Sequence, residues 1–251
     1  MTMGRQGGRR RWRKGSGRRC VAGGLLLILI AACSPVETKV GLDGTLTVLE
    51  PRHDFSIQRL PEEWLIIGGP ANPAPAVQSA NNQLHLTLKP VPESYAMIKR
   101  VQARLLATPF LGWHWMLSGP APIKHPVQIT VGFADDGDPK RRIYLRNPLQ
   151  ARPPTYSRTL TFTWGNSALR RGMLEVRSTP PGNPPVAVYT VRGGRENLRR
   201  WWREAVDLSA LHAKAWPKVD MRASRIVFVG IIVGTGAPEA MANIAALRLS
   251  R

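Results

Sequence analysis

Cysteine is nearly absent from this 251-residue chain, which has only Cys20 and Cys33. Acids are scarce as well: 16 Asp and Glu stand against 36 Lys and Arg. Apolar runs are short, and the longest, residues 21–32, covers twelve positions, against roughly 20 for a membrane-spanning helix. Helical periodicity is confined to residues 196–216. No G-x-S-x-G, H-x-x-x-H, C-x-x-C or full EF-hand loop occurs. The five histidines fall in five different segments, so nothing in the order of residues predicts a catalytic triad or a zinc site. No cofactor is expected.

The short apolar run has its own meaning. Eight Lys or Arg and no acid precede residue 21. A basic region, a short apolar stretch and small residues at its end form an export signal. The run ends Ile30-Ala31-Ala32-Cys33 and resembles a bacterial lipobox, in which the cysteine is acylated and becomes the new N-terminus. Lipidation is therefore expected at Cys33. A plain signal cut near Ala32, an uncleaved anchor and a twin-arginine signal at Arg18-Arg19 are the alternatives. Ser34 after the cysteine resembles the outer-membrane sorting case, which places the protein on the periplasmic side of that membrane if the cell is Gram-negative.

Processing changes the balance of charge. Removing residues 1–32 takes eight basic residues and no acid, leaving 219 residues at +12 instead of +20. An exported protein of that charge is expected to meet lipid head groups or anionic glycans, and no nucleic acid. Cys33 alone would remain, acylated, which excludes a disulfide. The expected organisation is a signal at 1–32, a tether at 33–53 and one domain at 54–251.

Within that domain strands alternate apolar and polar residues. "QLHLTLK" sets Leu84, Leu86 and Leu88 against His85, Thr87 and Lys89. "WHWML" sets Trp113, Trp115 and Leu117 on one face, and "VQITVGF" does the same with Val127, Ile129, Val131 and Phe133. "RIYLRN" points Arg142, Tyr144 and Arg146 outward, and "LTFTW" alternates Leu160, Phe162 and Trp164 with threonines. "RIVFVGIIVG" is apolar on both faces, as a covered central strand would be. Residues 202–208 read as a strand followed by a short helix at 209–214. "GGPANPAPAVQSANN" at 68–82 and "LPEEWL" read as loops. With 22 prolines and 23 glycines between short strands, the fold class expected is an all-β sandwich with one or two short helices.

The order "LHLTLK…LGWHWML…VQITVGF…IYLRN…LTFTWGN…VAVYTVR…WWREAVDL…IVFVGIIVG…NIAALRLS" resembles an exported bacterial family, domain of unknown function 3047. The resemblance covers about residues 54–251 and implies a jelly-roll sandwich like the galactose-binding-like domains. It departs from the family twice. An acidic pair and an Asp-rich stretch are replaced here by "KHPVQ" and "VGTGAPEA".

Three functions follow as expectations. The first is non-catalytic binding of an envelope glycan or anionic polymer, with Arg142, Tyr144, Arg146 and Trp202 supplying charge and stacking. The second is an assembly role, with Trp201 and Arg203 docking a protein partner. The third is a glycan hydrolase, for which Glu175 and Glu204 are the acids on strands. Asp135, Asp136 and Asp138 around Gly137 are a weak calcium candidate, against the plainer reading of a hairpin turn.

Overall fold

The computed structural model describes residues 41, 43–49, 64–69, 76–80, 83–119, 125–136 and 154–251. Alternation of side chains builds two sheets. The first holds β1 (Leu46–Thr47), β3 (Ala76–Ala80), β4 (Gln83–Leu88), β6 (Phe110–Leu117), β11 (Trp202–Asp207) and β13 (Ala242–Ser250). Its order is β11-β6-β13-β4-β3, with β1 paired to β13. The second holds β2 (Trp64–Gly68), β5 (Tyr95–Arg104), β7 (Val127–Asp135), β8 (Arg158–Gly165), β9 (Leu174–Arg177), β10 (Val186–Gly193) and β12 (Ser224–Val233). Its order is β2-β5-β12-β7-β8-β10-β9. From β4 to β7, and again from β10 to β13, the chain passes from one sheet to the other at every step. That winding makes an all-β jelly-roll sandwich.

The inward faces form one core. Leu111, Trp113, Trp115 and Leu117 of β6 meet Ile129, Val131 and Phe133 of β7 and Leu160, Phe162 and Trp164 of β8. Aromatic rings link the two sheets: Trp113 of β6 lies 5.5 Å from Phe162 of β8 and Trp115 lies 5.7 Å from Trp164, while Trp113 and Trp115 meet edge-on at 5.4 Å within β6. Aromatic pairs at such separations and tilts add to the stabilisation from burial itself. β12 is paired on both sides, to β5 and β7. Its outward Phe228 lies under Tyr156 and beside Leu65 and Ile98 in a second small apolar cluster.

The single α-helix among the described residues, α1 (Leu208–Ala215), follows β11 directly. Asp207 caps it, accepting from the Ala210 amide at 2.9 Å, the usual work of an N-cap carboxylate. The strand-then-helix reading of residues 202–214 matches this element closely. Other segments differ from the sequence reading. Residues 76–80, expected as loop, form β3 and pair with β4 in regular register. Trp64 of "LPEEWL" opens β2 and is buried. Leu46, Val48 and Leu49 are buried in the main core, so the sandwich takes residues from upstream of position 54.

Two ionic clusters brace the sandwich, one along the end of the seven-stranded sheet and one between the sheets. At the end of β7, Asp135 is bound by Arg158, itself 4% exposed, and accepts from the Ser224 hydroxyl at 3.0 Å. Arg158 lies over Trp216 and points Nη1 at His212 Nε2, 3.4 Å away. Between the sheets, Glu204 of β11 accepts from Arg192 Nε at 2.7 Å and from Trp115 Nε1 at 3.1 Å. A register shift between Thr190 and Arg192 places Arg192 level with the inward Trp164. A bulge re-aims a side chain in this way, and here it turns an arginine toward the core.

Candidate functional site

β7, β8, β10 and β12 turn their second set of side chains to the outside of the seven-stranded sheet. One row across it reads Ile232, Gln128, then Thr163 and Thr190; the next reads Gly230, Thr130, Thr161, Val188; a third reads Phe228, Gly132, Thr159, Val186. The outward floor is therefore mainly alcohol and amide, with apolar steps at its sides. Thr130 and Thr161 share a hydrogen bond at 3.4 Å between their hydroxyls. The buried Thr163 hydroxyl has no partner among the described residues.

A groove of about 410 Å³ lies along this floor, with Gln128, Thr161, Val186, Val188 and Ile232 on its lining and Arg177 at the β9 side. That volume is in the range of small-ligand sites. The polar threonines are visible in the sequence as the alternate positions of "VQITVGF" and "LTFTW". Neither an aromatic ring nor a charge marks them there, and threonine on a strand ordinarily reflects β-propensity. No described carboxylate lines the groove. Glu175, the acid opposite Val188, is engaged by Arg170 at 3.0 Å and Arg177 at 3.9 Å. Glu204 faces the space between the sheets, 4% exposed and bound to Arg192. The two acids therefore do not face each other across a cleft.

Of the expected ligand residues, Arg142, Tyr144 and Arg146 lie outside the described residues, as do Cys33 and Asp138. Trp202 is half-buried. The Arg192 guanidinium sits 3.7 Å from its ring centroid, and its Nε1 donates to the Asn197 carbonyl at 2.8 Å. One face of that indole is thus already covered by a cation, and the structure gives Trp202 to the clasp between the sheets. Trp201 is 43% exposed and Arg203 is exposed beside it. Asp135 and Asp136 are matched by cations: Asp135 by Arg158, Asp136 by Arg104 and Arg225. No cluster of three potential metal ligands occurs among the described residues.

Two fully buried histidines lie outside the groove. His125 accepts from the Val127 amide at Nδ1, 3.1 Å, and approaches the Ser118 carbonyl through Nε2 at 3.3 Å. Burial pushes its pKa down to about 4. His212 is also brought to about 4, by burial first and by the charge of Arg158 second, against the opposing pull of Asp135.

No family model matches the chain, and no curated protein matches it. Among solved structures, it is similar to a family 11 carbohydrate-binding module from Clostridium thermocellum in complex with a β-1,3-1,4-mixed-linked tetrasaccharide. The identity is 5%, over 84% of this chain and 97% of that one, with a TM-score of 0.43. It is also similar to the Humicola grisea Cel12A catalytic domain, at 8% identity over 84% and 94% of the two chains and a TM-score of 0.41. A likeness of this size carries no ligand or activity from one protein to another.

Proposed function

We propose that the protein is a non-catalytic glycan-binding component of the cell envelope, held to the membrane by a lipid on Cys33. The observation that carries the binding reading is the composition of the outward groove. A sugar offers hydroxyls on its rim and C–H groups on its ring faces. Gln128 and Thr161 supply partners for the first, Val186, Val188 and Ile232 supply surface for the second, and Arg177 suits an acidic substituent. Hydrolysis by the usual mechanism needs two opposed carboxylates, and the groove's described lining has none. The stretch 142–146 keeps its expected part in stacking and charge.

The test is a glycan and wall-polymer binding screen with the full-length processed protein, with release of reducing ends monitored in parallel. Saturable binding without product release is the expected result. Thr161→Val keeps the side-chain shape and removes a hydroxyl; affinity should fall by roughly 3- to 10-fold, the worth of about 1 kcal/mol for one hydrogen bond. Arg177→Gln should weaken acidic ligands selectively, and Tyr144→Ala reports on the stretch 142–146. A folded protein that binds no glycan overturns the proposal, and product release turns it toward a hydrolase. For the anchor, Cys33→Ser should move the protein from the membrane fraction to the soluble one.

A further inference from the structure

The outward side of the six-stranded sheet is chemically unlike the groove. Across β11, β6 and β13 one row sets Arg203, His114 and Ala245 together, the next Ala205, Gly112 and Arg248, and the next Asp207, Phe110 and Ser250. Trp201 leads into this face from the start of β11, with its ring 5.6 Å from His85 of β4. Trp201 and Phe110 are 43% and 40% exposed, and they stand toward opposite ends of the face. Between them lies His114, whose pKa is pushed down by its partial burial first and then by the charges of Arg203 and Arg248. Neither guanidinium has a hydrogen bond or ion pair among the described residues. The one acid on these outward positions, Asp207, is occupied by Ser209 and Ala210 at the helix cap. Asp43, beside the sheet near Arg248, accepts from the Thr45 amide at 3.0 Å.

We propose that this face lies on an anionic phospholipid surface, with Trp201 and Phe110 in the interface and Arg203 and Arg248 on lipid phosphates. Tryptophan is enriched at that depth, and unpaired basic groups near an anionic leaflet are drawn to it. A second copy of the chain is a poor occupant, because a twofold contact would set these arginines against their own like. The entry of the chain adds a second argument, which rests on the lipid anchor proposed above. β1 joins β13 at Leu46 opposite Leu249, next to Arg248. Gly41 is eight residues from Cys33, a reach of at most about 28 Å. A lipid on Cys33 would keep Gly41 within that reach of the head groups.

The experiment uses the processed protein purified from membranes and reconstituted into vesicles of phosphatidylcholine, alone or mixed with phosphatidylglycerol. Both lipids carry brominated acyl chains that quench nearby indoles. Quenching is expected in the anionic vesicles and should be lost in Trp201→Phe. It should fall with added salt, and the double variant Arg203→Gln/Arg248→Gln should weaken association of this face with the anionic surface roughly 30-fold. Equal quenching in Trp201→Phe, or none in the parent protein, overturns the inference. Quenching that an added soluble anionic glycan abolishes while the protein stays anchored would also overturn it, in favour of a polymer on this face. Intact mass reads the lipid on Cys33 separately. An unlipidated protein still quenched through Trp201 keeps this inference and removes the anchor; a lipidated protein without such quenching does the reverse.

Discussion

Replacing Arg192 by methionine should destabilise the sandwich by about 3–5 kcal/mol, the cost of leaving one partner of a buried ion pair behind. Glu204 is 4% exposed. Without Arg192 its one remaining hydrogen-bond donor among the described residues is Trp115 Nε1 at 3.1 Å, which cannot neutralise a carboxylate. The same substitution uncovers the Trp202 ring, which Arg192 overlies at 3.7 Å. For a domain of this size the melting temperature should fall by roughly 6–20 °C. Charge is the cause rather than volume, so Arg192→Met/Glu204→Met should lose less than Arg192→Met alone. Urea unfolding of Arg192→Met, Glu204→Met and the double variant checks this. A double variant that loses the sum of the singles would show that the pair does not act as a unit.

Acid should weaken the fold well before the carboxylates titrate. His125 and His212 take up protons near 6.5 when the chain is unfolded, but near 4 when it is folded. The unfolded state therefore binds more protons between these values. The contribution is complete above pH 6.5 and is lost as pH falls toward 4, at about 3 kcal/mol for each histidine. Below that window Asp43 and Asp207, whose pKa values lie under 3.8 in the folded protein, lose their contributions in turn. His125→Asn keeps a side-chain acceptor near the Val127 amide and should leave roughly half the slope. Urea midpoints between pH 7 and pH 4 give the answer; a flat profile would mean that the two rings are protonated in the folded state as readily as in the unfolded one.

Much of this architecture can be read from alternation alone, because β6 buries every second residue and β7 and β8 carry an unbroken apolar set on the inward side, although their alternate positions are largely buried too. β5 escapes that reading because Lys99 occupies an inward position between Met97 and Val101, its Nζ donating to the Thr47 carbonyl at 3.3 Å. β3 is hidden in a Gly, Pro and Ala-rich stretch whose strand character comes from pairing with β4. Period two along β10 would turn Arg192 outward with Val188 and Thr190, and the bulge between Thr190 and Arg192, which no alternation foresees, turns it inward. Trp202 looks free for the same reason: its cover arrives from another sheet. The threonine floor was written plainly in the sequence, but threonines on a strand ordinarily mean β-propensity. Only the rows formed by four strands, β12, β7, β8 and β10, give them a groove.

Hydrogen–deuterium exchange of the processed protein with and without a glycan that it binds is the most direct test of where it works. Protection concentrated in β7, β8 and β10, and reduced in Thr161→Val, is the result this account predicts. Protection confined to residues 195–203, or spread evenly with none in those three strands, would contradict it.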